Sequence, residues 1–96
     1  MHINELVQKA HTNAKNKGFY DKQVQFPTLI ALAHSELSEA LEADREGDFF
    51  KAKTELADTV IRIADMCGYL DIDLEKEITE KMKINSYRQK KHGKRY

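Results

Sequence analysis

The chain has 96 residues, 33% charged and 41% apolar, with one proline, four glycines and a formal net charge of zero. That length suits one small domain whose core is marginal on its own, so oligomerisation is expected. No apolar run approaches the roughly 18 residues of a membrane span, and Met1-His2-Ile3-Asn4-Glu5 has no charged region followed by an apolar core, so neither a membrane partner nor a secretory signal is expected.

Apolar spacing predicts four helices in a single domain over residues 1–96. The first runs from about Ile3 to Lys17 on the stripe Ile3, Leu6, Val7, Ala10 and Ala14, and stops at Gly18. The loop Phe19-Tyr20-Asp21-Lys22-Gln23-Val24-Gln25-Phe26 leads to Pro27, which opens the second helix where proline is tolerated. Its aromatics either staple the loop onto the helices or stack on a base; Phe19 and Tyr20 are the candidates for stacking. The second helix ends near Glu46, with Gly47 behind it and Asp48 placed to cap the third. The third helix continues to about Leu70, and nothing in the sequence accounts for Gly68 inside it, a residue costing roughly 1 kcal/mol relative to alanine. Asp71 or Ile72 lies in the next turn, and Asp73 caps a fourth helix whose first turn holds Glu75 and Glu77. That helix is expected to fade after about Gln89, leaving a basic tail at about 90–96. Short turns between consecutive helices predict an all-α, antiparallel four-helix bundle. The lone Cys67, on a core arc, reads as a small buried apolar residue and points to a reducing cytoplasm.

Two pairs of carboxylates carry the chemistry. Glu36-Leu37-Ser38-Glu39 and Glu55-Leu56-Ala57-Asp58 each place two acids one helical turn apart on a single face. If the two helices pack side by side, four acidic groups converge and repel, so they need cations. Oxygen donors without cysteine or histidine favour a hard ion, Mg²⁺ or Mn²⁺. At about 100° per residue, Ile30, Ala33, Leu37, Ala40 and Leu41 form the core arc of the second helix, and Glu36 falls within its apolar flank. A carboxylate there must be neutralised, paired or metal-bound. In the third helix the arc is Leu56, Val60, Ile63, Ala64 and Cys67, with Glu55 at its margin and Asp58 further round. The alternative is a buried salt bridge, with Arg62 at i+4 from Asp58 as the partner. His34 lies about 200° from Glu36 round the helix, which excludes the Glu-x-x-His pair of di-iron bundles.

The fourth helix supplies opposite charge. Residues 36–80 hold fourteen acids against five Lys and Arg, whereas residues 81–96 hold seven Lys and Arg and no acid. The seam begun by Leu74 and Ile78 continues as Lys81, Asn85 and Arg88. These offer a point charge, an amide donor and a planar fork suited to phosphate oxygens. Their position near a helix C-terminus explains the charge through the helix dipole, but not the shared face.

In order, Glu36-x-x-Glu39, Glu55-x-x-Asp58 and Lys81-x-x-x-Asn85-x-x-Arg88 resemble the motifs of small MazG-like proteins, all-α nucleoside triphosphate pyrophosphohydrolases. The likeness covers nearly the whole chain, from Gly18-Phe19-Tyr20 to His92-Gly93-Lys94. It departs at Ser35, where the family has a first glutamate, and at Gln89, where a proline often follows the arginine. The resemblance implies Mg²⁺ on Glu36, Glu39, Glu55 and Asp58, and hydrolysis of an NTP or dNTP to monophosphate and pyrophosphate. It further implies phosphate binding by Lys81, Asn85 and Arg88, and a homodimer or homotetramer with sites shared between subunits. Glu39, at the edge of its arc, is the candidate for orienting the attacking water. Two other classes compete: a nucleotide or metal sensor without turnover, with Ser35 marking lost catalysis, and a nucleic-acid-binding module using the basic tail. The tail's few aromatics argue against nucleic acid as the partner.

Overall fold

The computed structural model describes the backbone of residues 1–93 and the side chains of residues 1–88. Among these it contains four helices and no strand: α1 (Ile3–Asn16), α2 (Phe26–Arg45), α3 (Phe49–Tyr69) and α4 (Leu74–Gly93). The described residues are therefore all-helical in their regular structure, and the breaks fall at the expected residues. Gly18 (φ 86°) and Gly47 (φ 77°) take the left-handed conformation that ends α1 and α2. Asp48 caps α3 by accepting the Lys51 N–H at 2.9 Å, and Asp73 caps α4 by accepting the Lys76 N–H at 3.1 Å. Asp71 turns the chain at φ 58°, which aspartate tolerates. α4 extends beyond Gln89 as helix to Gly93; Lys94, Arg95 and Tyr96 of the expected basic tail lie outside the described residues.

α3 organises the packing. α1 and α2 each lie against it and scarcely meet each other, while α4 joins the rest through α1. The core cluster is Val7 and Ala10 of α1 against Ala64 and Cys67 of α3, with Leu6 and Leu74 partly covering it. Asn4 ties the two N-termini together. Its N–H donates to Glu75 Oε1 (3.2 Å), its amide donates to Asp73 Oδ1 (3.1 Å), and its Oδ1 accepts the Glu75 N–H (3.3 Å). Gly68 now has a reason: a Cβ there would sit 2.6 Å from His11 Cβ, so α1 closes directly onto the α3 backbone.

The expected core arcs are only partly covered. Leu29, Ala40 and Ala43 of α2 are buried, but Leu37 and Leu41 are 50% and 54% exposed. On α3, Ala64 and Cys67 are buried while Leu56 and Val60 remain 51% and 54% exposed. The radius of gyration is 15.9 Å, against about 12–13 Å for a compact domain of this length. The α2–α3 hairpin thus presents an apolar face with no cover in the single chain.

Candidate metal centre and adjoining cavity

The α2–α3 hairpin brings the two acidic motifs together. Successive turns of α2 carry Glu36 and Glu39, facing Glu55 on α3, and carboxylate oxygens of all three lie within 4.8 Å of one another. Asp58, one turn after Glu55, stands outside this trio but lines the neighbouring cavity with Glu36. The three differ in exposure: Glu39 is open to solvent, Glu36 half-buried and Glu55 buried at 9%. Glu55 Oε1 is shielded from solvent and has no hydrogen-bond partner. The nearby Thr59 hydroxyl is spent on the Glu55 main-chain carbonyl at 2.8 Å. Burial, and then the charges of Glu39, Asp58 and Glu36, push the Glu55 carboxyl above its usual range.

The nearest protein cation is Arg62, whose Nη2 lies 3.2 Å from Glu36 Oε2. The pairing runs across helices rather than along α3 to Asp58, the partner that i+4 spacing suggests. Its guanidinium carbon also stands 5.4 Å from the centroid of the Phe19 ring.

Beside the carboxylates, α1, the loop after it and α3 enclose an open cavity of about 480 Å³. Asn13, Lys17, Phe19, Glu36, Asp58, Arg62 and Asp65 form its polar and aromatic walls. Ala10 and Ala14 keep the α1 wall low. The loop is held by a buried polar knot. Asp65, 3% exposed, accepts the Tyr20 hydroxyl at 2.8 Å and lies 3.0 Å from His11 Nδ1. Tyr20 stacks on Tyr69 with ring centroids 4.1 Å apart, and the Tyr69 hydroxyl accepts the Val24 N–H at 3.1 Å. Burial and the hydrogen bond to Asp65 raise the Tyr20 pKa, keeping its hydroxyl a donor. Of the two aromatics considered for base stacking, Phe19 is therefore the one on the cavity wall, and Tyr20 is engaged in the knot.

Lys81, Asn85 and Arg88 lie exposed on α4, and none borders this cavity in its own chain. His34 is exposed beside Leu37 and Leu56, away from the acids. Asn13, Lys17 and Asp65 are site residues that motif reading did not pick out. Their signal was present for α1 alone: Asn13 and Lys17 at i, i+4 share a face with the small Ala10 and Ala14. Three all-oxygen donors, one buried and without a partner, suit a hard divalent cation. Comparison with protein-family models, with curated proteins and with solved structures gives no match.

Proposed function

We propose that this chain is a divalent-cation-dependent nucleoside triphosphate pyrophosphohydrolase of the MazG-like kind, cleaving an NTP or dNTP to the monophosphate and pyrophosphate. One observation carries it: a buried, unpartnered carboxylate oxygen on Glu55, a member of the trio of clustered carboxylates. Leaving an acceptor without a donor, next to two further acids, costs stability unless a proton or a cation neutralises the set, and three clustered carboxylates suit the cation. Mg²⁺ or Mn²⁺ held there supplies neutralisation of phosphate charge and activation of water. Glu36, Glu39 and Glu55 would hold the ion, with Asp58 at the cavity side. Glu39, the exposed member, accepts a proton from the attacking water as its oxygen bonds to the α-phosphorus and the α–β bridging P–O bond breaks. Phe19 offers a ring to the base and Asn13 an amide on the same cavity's lining.

The functional unit in this proposal is a homodimer or homotetramer in the cytoplasm. Leu37, Leu41, Leu56 and Val60, half-exposed on one hairpin, support the association. A second copy then brings the exposed Lys81, Asn85 and Arg88 to the phosphate chain. No described helix is long and apolar enough to cross a membrane, and the single thiol, Cys67, is buried. The test is pyrophosphate release from a panel of ribo- and deoxyribonucleoside triphosphates with Mg²⁺, beside Glu36→Ala. Mg²⁺-dependent release that the variant loses is the expected result. Mg²⁺-dependent nucleotide binding without turnover makes the chain a sensor, and salt-steep, Mg²⁺-independent nucleic-acid binding makes it a nucleic-acid module.

A further inference from the structure

We propose that Arg62 is the resident counter-ion of the acidic trio: it pairs with Glu36 when no divalent cation is present, and cation binding releases it along the face of Phe19 into the cavity. This rests on the cation site proposed above, and adds a competition that the site alone does not imply.

The geometry favours exchange over permanent support. Arg62 reaches Glu36 through a single N···O contact of 3.2 Å, not the paired contacts of a bidentate clamp. The side chains remain 27% and 21% exposed, and pairs this accessible are weak. Glu36 is also the member of the trio that borders the cavity, so ion and guanidinium compete for the same carboxylate. A divalent ion among three acids repels a guanidinium that shares one of them. Arg62 has somewhere to go, because its second contact is the Phe19 ring at 5.4 Å, where a cation is held by the ring face. From there the cavity lies open, with Lys17, at the C-terminal end of α1, also lining it. The freed fork then meets an anion entering with the metal. Cation and anion binding become positively coupled, since each takes one partner of the same ion pair.

The experiment is calorimetric titration of the full chain with MnCl₂, with thermal melts at matched protein concentration, for wild type, Arg62→Gln and Arg62→Lys. Removing a competitor worth as much as a half-exposed ion pair tightens Mn²⁺ binding by about two- to fivefold in Arg62→Gln. That variant should melt lower than wild type without Mn²⁺ and recover the difference with it. Arg62→Lys keeps the competing charge and should bind within about twofold of wild type. If Arg62→Gln does not fold, Arg62→Met, which keeps the apolar stem without the charge, takes its place under the same criterion. Equal or weaker Mn²⁺ binding by Arg62→Gln, or a loss of affinity in Arg62→Lys, overturns the proposal: Arg62 would then be a bystander or a group orienting Glu36. No Mn²⁺ uptake by wild type removes the cation site itself, a different failure that takes this inference with it.

Discussion

Gly68→Ala separates local helix propensity from tertiary constraint at one atom. In an isolated helix the substitution gains about 1 kcal/mol. Here the new Cβ would lie 2.6 Å from His11 Cβ and 2.9 Å from His11 Cγ, whereas carbon atoms settle at about 3.5–4.0 Å. Neither contact is the far end of a flexible chain, so α1 must withdraw from α3 by about 1 Å. Overpacking of that kind costs about 1–3 kcal/mol. The same shift stretches the 3.0 Å His11–Asp65 contact out of hydrogen-bond range, a loss near the low end of about 1–3 kcal/mol because Tyr20 still donates to Asp65. The net is a destabilisation of about 1–3 kcal/mol, or a melting temperature lower by roughly 5–20 °C for a domain of this size. Circular-dichroism melts at fixed protein concentration measure it, and His11→Gly in the same background removes the clashing Cβ and should restore part of the loss. A melting temperature raised by the few degrees that propensity alone provides would refute the close approach of α1 and α3. Because α1 and its C-cap carry Asn13, Ala14 and Lys17, the variant that folds should have a wider, less selective cavity.

Glu55→Gln removes a charge from the trio, so the metal-free protein should melt higher while Mn²⁺ uptake is lost; a lower melting temperature would mean that the acids are not under mutual strain. The sign of its pH dependence is fixed: the Glu55 pKa is raised on folding, so the folded chain binds the proton more tightly and metal-free stability falls as pH rises through the shifted value. The amide variant should lack that slope. Asp73 behaves oppositely, because the Lys76 N–H and the Asn4 amide lower its pKa; its contribution is present above the unfolded value of 3.8 and lost as pH falls through the lowered one, which acid titration with Asp73→Asn as control will register. Leu41→Glu places a charge on the uncovered hairpin face and should reduce the mass seen in sedimentation to that of a single chain; unchanged mass would place any association elsewhere.

The helix boundaries were legible because the signals that set them are local. Gly18, Pro27, Gly47, Asp48 and Asp73 act through their own backbone geometry or through the next turn. The convergence of Glu36 and Glu39 with Glu55 followed from i, i+3 spacing on two consecutive helices. What covers an apolar face was not legible. Leu37 and Leu56 have the same periodicity whether they meet a core or a second copy, and here they are half-exposed. The partner of Arg62 was not legible either: spacing offers Asp58 on the same helix, while the fold offers Glu36 on the next. Gly68 and Asp65 depend wholly on what α1 and the loop bring against them. Such contacts span tens of residues of sequence, and a periodic pattern carries no trace of them.

The uncovered face and the displaced cations of α4 have a common resolution. Within one chain the cavity presents Glu36, Asp58 and Asp65 against Arg62 and Lys17. One divalent ion offsets the acids but leaves little positive charge to hold a triphosphate. Lys81 and Arg88 are among the exposed cations of α4, and α4 is attached through α1 rather than through the carboxylate hairpin. A second copy seated on Leu37, Leu41, Leu56 and Val60 would bury the apolar face and could carry a basic helix toward the phosphates in one step. Metal binding and turnover then have different requirements. The trio of acids comes from one hairpin, so a single-chain Leu41→Glu variant should still take up Mn²⁺. If the proposed pyrophosphate release draws on the second copy's cations, it should fall with the oligomer and rise with protein concentration in the wild type. Turnover that survives in a monomeric variant would mean that Arg62 and Lys17 suffice for the phosphates.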